Sequence, residues 1–158
     1  MNFKNKKNIL LTGFMGSGKT FIGKYIADLI NFKFIDIDEI IKIDCNTSIS
    51  NLFTTKGENY FRDLEHNVCK QIYNLDDSII SAGGGTLEYD RNLNLFLNKS
   101  VIIFIDTPFE VCFERCINTD RPLMNILSKS ELYELFLKRR KRLLNVADYI
   151  LRDEKLFE

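Results

Sequence analysis

Asn8-Ile9-Leu10-Leu11-Thr12-Gly13-Phe14-Met15-Gly16-Ser17-Gly18-Lys19-Thr20 runs from a short apolar stretch into a glycine-rich loop. Gly13 to Thr20 fit the pattern G-x-x-x-x-G-K-[ST]. Ile22, Ile26, Leu29 and Ile30 then recur at helical spacing, so the loop sits between a strand and a helix. In that context glycines let the backbone curl until successive N–H groups point into one cavity and bind phosphate oxygens. Gly16, Ser17 and Gly18 would line the cavity and Lys19 would reach the β- and γ-phosphates. The Thr20 hydroxyl would ligate Mg²⁺. The pattern predicts a nucleoside triphosphate ligand without saying what is done with it.

Outward from the loop, short apolar runs alternate with longer helical patterns. They predict strands at Asn8 to Thr12, Phe32 to Asp36, Ser78 to Ala82, Val101 to Asp106 and Tyr149 to Leu151. Helices are predicted at Lys19 to Ile30, Glu58 to Tyr73, Asp90 to Leu97, Phe109 to Ile117 and Ser130 to Val146, with a short one near Ser48 to Thr54. Repeated βα units imply an α/β fold on a mainly parallel sheet, with functional groups at the strands' carboxyl ends. The 158 residues suffice for a single domain. A GTP-binding switch would carry N-K-x-D, but neither Asn5-Lys6 nor Asn98-Lys99 is followed by the required Asp. A small-molecule kinase suits the length better.

Composition narrows the choice further. Lys+Arg and Asp+Glu are each 22, and the net charge of zero argues against general nucleic-acid or acidic-membrane binding. The longest apolar run, Val101 to Ile105, is strand-sized and too short to span a membrane. The basic Met1 to Lys7 segment leads into a run broken by glycines rather than a signal-peptide core, so a cytoplasmic location is expected. Cys45, Cys69, Cys112 and Cys116 contain no CxxC pair and read as reduced thiols.

Several charged residues stand in telling places. Asp36 and Asp38 close the second strand, and alternate positions of an extended chain share one side. One acid can serve Mg²⁺ while the other accepts a hydroxyl proton. Asp38 equally suits the N-cap of a helix starting near Glu39. In the following helix Phe61, Leu64, Val68 and Ile72 form the buried stripe. Arg62 lies at its edge, one turn from Glu65. Gly83-Gly84-Gly85 after the third strand permit positive φ and close approach of a ligand. Arg139 falls on the stripe of Leu132, Phe136, Leu143 and Val146, and an inward guanidinium requires an anion, ideally a carboxylate. Arg140 and Arg142 are near enough that this choice depends on helical register. Arg121-Pro122-Leu123 sits in a polar stretch suited to a mobile loop that delivers an arginine to phosphate. Asp106, ending an apolar strand, competes with Asp36 as the magnesium acid.

Taken in order, Gly13 to Thr20, Asp36-x-Asp38, Gly57-Glu58-x-x-Phe61-Arg62-x-x-Glu65, Gly83-Gly84-Gly85 and Arg121-Pro122-Leu123 resemble the shikimate kinase family from about residue 8 to residue 151. The resemblance implies a three-layer P-loop fold, similar to nucleoside monophosphate kinases, with a five-stranded parallel sheet flanked by helices. It also implies a mobile lid at about 109–128 and an acceptor-binding region at about 36–65. The activity implied is transfer of the γ-phosphoryl group of ATP to the 3-hydroxyl of shikimate, a step toward chorismate and the aromatic amino acids. Asp38 would be the base, and Arg62 and Arg139 would hold the shikimate carboxylate beside Phe61. Gly83, Gly84 and Gly85 would line the same pocket. Asp36 would be the magnesium acid, Arg121 the lid arginine, and Arg115 the residue against adenine. A monomer is expected. Leu143 stands where the family commonly has Tyr. The competing expectations are another small-metabolite kinase on this scaffold and a nucleotide-binding module without catalysis.

Overall fold

A computed structural model describes residues 6–152. Five strands form one sheet: β1 (Asn8–Thr12), β2 (Lys33–Asp36), β3 (Ser78–Ser81), β4 (Ser100–Ile105) and β5 (Tyr149–Leu151). Their order is β2-β3-β1-β4-β5 and every pairing is parallel. The central strand pairs Leu10 with Ile80 on one side and with Ile102 on the other. Because β3 and β4 flank β1, the chain reverses direction across the sheet there, and a crevice opens beyond the carboxyl end of β1.

The pleat of the strands sorts the core. Ile9, Leu11, Ile79, Ile103 and Ile105 pack with Ile22, Ile26 and Ala27 of α1 (Lys19–Ile30). The alternate residues Leu10, Ile80, Ile102 and Phe104 point to the opposite face. There they meet α2 (Ile37–Cys45), α3 (Ile49–Lys56), α4 (Glu58–Ile72) and α5 (Asp90–Phe96). A third cluster joins Phe14 and Met15 of the glycine-rich loop to α6 (Phe109–Cys116) and α8 (Lys129–Val146). The short α7 (Pro122–Ile126), with proline in its first turn, lies between them. A 3-10 turn covers Thr86–Glu88.

Two expectations need correction. The α1 stripe keeps Ile22 and Ile26 but not Leu29 and Ile30: Gly23 and Ala27 are buried beside the first two, and Leu29 is 71% exposed. Gly23 replaces a larger side chain because its Cβ would fall 2.5 Å from the Phe34 ring. The second change is at Asp36 and Asp38, which do not lie together on an extended strand. Asp36 caps α2, its side chain accepting from the N–H groups of Asp38 and Glu39, so Asp38 stands inside the first helical turn. The cap is Asp36 rather than Asp38 because the chain leaves extended geometry at residue 37.

Candidate active site

The loop after β1 is shaped by glycines at positions other side chains resist. Gly16 and Gly18 have φ of 77° and 92°, and a Cβ on Gly16 would meet the Cys112 carbonyl oxygen at 2.5 Å. The loop is tied from behind: Thr107 Oγ1 donates to the Ser17 carbonyl at 3.1 Å, and Arg115 Nη1 donates to the Gly16 carbonyl at 3.2 Å. Lys19 Nζ curls back to the Gly13 and Phe14 carbonyls, each at 2.9 Å. Desolvation, with the Arg121 charge adding to it, lowers its pKa to about 8.

Thr20 Oγ1 donates to Asp36 Oδ2 at 2.9 Å, so two hard oxygen donors adjoin the phosphate loop. Their chemistry fits Mg²⁺, which prefers one or two protein oxygens completed by phosphate and water. Asp106, the rival acid, is committed elsewhere. It receives Arg140 Nε and Nη2 at 2.7 and 2.8 Å and Arg152 Nε at 2.9 Å. Those hydrogen bonds outweigh burial and hold its carboxyl below the usual range.

Asp38 occupies the position between the loop and the glycine triplet. Its Oδ1 is buried and has no hydrogen-bond partner among the described residues. Burial, reinforced by the charges of Asp36 and Glu65, pushes its pKa up to about 6. The glycine triplet is required here for close approach, not for positive φ, which Gly83, Gly84 and Gly85 do not adopt. A Cβ on Gly83 would lie 3.1 Å from both Asp38 Oδ1 and Glu65 Oε1. On Gly85 it would lie 2.7 Å from Arg139 Nη2 and 2.8 Å from Arg62 Nη2.

Arg62 and Arg139 therefore converge on one wall of the crevice, and each is only 5% exposed. Glu65, wholly buried, accepts from Arg62 Nη1 at 3.0 Å and from Thr86 Oγ1 at 2.6 Å. Glu58 takes the Nε and Nη2 groups of Arg62 at 3.2 and 3.1 Å. Phe61 is buried beside them, the Arg62 guanidinium standing 5.2 Å from its ring centre. Of the three arginines in the α8 run, Arg139 faces this wall. Arg140 is held by Asp106, and Arg142 by the Leu87 carbonyl and Asp90. Burial lowers the Arg139 pKa, Glu88 offsets part of this, and the facing Arg62 lowers it further.

One cavity of about 680 Å³ joins these parts, lined among others by Lys19, Asp38, Arg62, Gly84, Arg121 and Arg139. Asp36, Thr20 and Arg115 also border it. Ser48, Ile49 and Phe53 of the α3 region line it, as do Arg121, Pro122 and Leu123 from the α7 region. Sequence reading brought no role to Glu58 or Glu88. Glu58 was legible as an i,i+4 partner of Arg62, whereas Glu88 reaches Arg139 only through the fold. A larger groove of about 830 Å³ between α6 and α8 contains Asp106 and Arg140 but none of the loop glycines. The four cysteines are free, and burial pushes Cys69 and Cys112 up to about 12.

A parallel sheet with a phosphate-binding loop at its central strand, and an acceptor cavity beside it, defines a P-loop kinase. Comparison with known proteins makes the class more specific. Residues 15–157 match the family model described as shikimate kinase. The chain is 40% identical over 136 residues to shikimate kinase of Persephonella marina, covering 85% of this chain and 82% of that protein. Shikimate kinase from Acinetobacter baumannii in complex with shikimate superposes with a TM-score of 0.87 at 28% identity, covering 96% of this chain and 86% of the other. The Aquifex aeolicus enzyme gives 0.81 at 38% identity over 93% and 87% of the two chains. The chain belongs to the shikimate kinase family.

Proposed function

We propose that this protein transfers the γ-phosphoryl group of ATP to the 3-hydroxyl of shikimate, yielding shikimate 3-phosphate and ADP, on the route to chorismate. The observation that carries this reading is the pair of buried guanidinium groups, Arg62 and Arg139, meeting across Gly85 in the cavity that also holds Asp38 and the phosphate loop. Glu58 and Glu65 hold Arg62, and Glu88 takes only the Nε of Arg139, so the Arg139 Nη groups are left toward the cavity, where a planar fork suits a carboxylate. Shikimate offers that carboxylate and, across its ring, hydroxyl groups for the Asp38 side.

The backbone N–H groups of Gly16 to Thr20 cradle the triphosphate, and Lys19 leaves the loop carbonyls to meet the transferring phosphate. Thr20 and Asp36 would hold Mg²⁺, which when bound would neutralise charge on the phosphate oxygens. Asp38 accepts the proton of the 3-hydroxyl while that oxygen bonds to the γ-phosphorus and ADP departs. A base with a pKa near 6 is ionised at neutral pH and still binds a proton usefully. Arg121 comes from the lid to the developing charge, and Arg115 supports the adenine. No helix among the described residues is long and apolar enough to cross a membrane. A cytoplasmic monomer is the form in which we expect it to act.

The deciding experiment is a coupled ADP-release assay with ATP and Mg²⁺, offering shikimate, gluconate and nucleoside monophosphates in parallel. Shikimate-dependent release is expected. Turnover of another acceptor with no stimulation by shikimate would overturn the proposal.

A further inference from the structure

Arg62 is oriented by its own helix. Glu58 and Glu65 stand at i−4 and i+3 on α4 and occupy the back of its guanidinium. Arg139 has no such help. Positions 135, 136, 142 and 143 of α8 are Leu, Phe, Arg and Leu, and its neighbours Lys138, Arg140, Lys141 and Arg142 are all cations. The missing carboxylate comes from a different segment: Glu88, the last residue of the 3-10 turn after the glycine triplet, accepts from Arg139 Nε at 2.7 Å. Lys138 Nζ stands 3.6 Å from the other oxygen of Glu88.

The position of that bond matters. A guanidinium is planar, so holding Nε fixes the direction of both Nη groups. Those groups run along the glycine wall: a Cβ on Gly84 would lie 3.6 Å from Nη1, and one on Gly85 would lie 2.7 Å from Nη2. Both are thereby left for a ligand. We infer that Glu88 is a positioning residue that locks Arg139 with its Nη edge toward the cavity and so sets the preference for a carboxylated acceptor. This rests on the reading that Arg139 takes the shikimate carboxylate.

The test compares shikimate with its methyl ester, which keeps the ring hydroxyls and loses the negative charge. Wild-type turnover of shikimate is measured first, and its absence would overturn the proposed activity and this inference with it. With turnover established, Glu88→Ala is expected to raise the shikimate KM about 10-fold, the worth of one charge-assisted hydrogen bond. Its kcat and ATP KM should stay within about 2-fold, and the KM for the ester should not change. Glu88→Gln, whose amide oxygen still accepts from Nε, should return the shikimate KM to within about 3-fold of wild type. If Glu88→Ala does not fold, Glu88→Asp, which withdraws the carboxylate by one methylene, carries the same comparison. An unchanged shikimate KM, or an equal rise for shikimate and ester, would overturn the inference while leaving the activity standing.

Discussion

Asp38, the base in the proposed reaction, shows how burial and neighbouring charges ready a carboxylate to take up a proton. Its buried Oδ1 lacks a partner among the described residues, and the charges of Asp36 and Glu65 add to the burial that raises its pKa from 3.8 to about 6. The proposed reaction requires the ionised form, so kcat/KM should rise with pH through about 6 and level off above it. Asp38→Asn should lower kcat by about 10²-fold or more with the ATP KM within about 3-fold, as ADP release will measure. Stability should move in the opposite sense. A folded pKa above the unfolded value means that ionisation is disfavoured in the native state, so stability declines as pH rises from about 4 to about 6. Asn carries no such penalty. In urea unfolding at pH 8, Asp38→Asn should be more stable than wild type by on the order of 2 kcal/mol, with the difference vanishing below about pH 4. The acidic residue was legible in the Asp36-x-Asp38 pattern, although it stands in the first turn of α2 rather than on the strand. Its pKa was not, because Glu65 and Gly83 reach it from other elements.

At the scale of elements, Asp36 performs two tasks that substitutions can separate. One oxygen caps α2 and the other accepts from Thr20. Asn caps a helix about as well as Asp but brings no charge to a metal. Asp36→Asn should therefore keep thermal stability within about 0.5 kcal/mol while raising the Mg²⁺ concentration needed for half-maximal rate. Asp36→Ala should show the same magnesium defect and lose about 1 kcal/mol as well. Equal stability of the two variants would show that the cap contributes little. The basic run on α8 is likewise resolved by element contacts. Arg139, Arg140 and Arg142 each meet an acid from outside α8: Glu88, Asp106 and Asp90. Helical periodicity alone placed Arg139 inward, since it shares a stripe with buried Leu132, Phe136 and Leu143. It did not reveal that α1 would leave Leu29 outside. Period-3.6 spacing identifies an apolar stripe but not how much of it a neighbour covers.

Across the whole molecule, the cavity binds its ligand through parts distant in sequence, so binding should stabilise the fold as a unit. At shikimate 100 times its dissociation constant, the native state gains about 2.7 kcal/mol. For a chain of this size, that raises Tm by about 5–10 °C. Arg139→Ala leaves the buried Arg62 facing an empty wall and should weaken shikimate binding about 100-fold. At the same concentration its Tm shift should fall to about 1 °C. Arg140→Ala, on the Asp106 side of α8, should start from a lower Tm yet keep the full shift. The reverse pattern would mean that the other arginine serves the site. The net charge of zero thus conceals a local gathering of cations around the crevice. By itself, the sequence determined the phosphate loop, the alternating α/β order and the identity of the charged residues, since glycine spacing and side-chain period are local properties of a chain. Tertiary structure alone decided that Asp106 belongs to Arg140 and Arg152, that Glu88 stands behind Arg139, and that the glycine triplet makes room for two guanidinium groups. Each depends on which segments the sheet brings within a few ångströms, and burial converts that proximity into pairing, because charges removed from water must find partners.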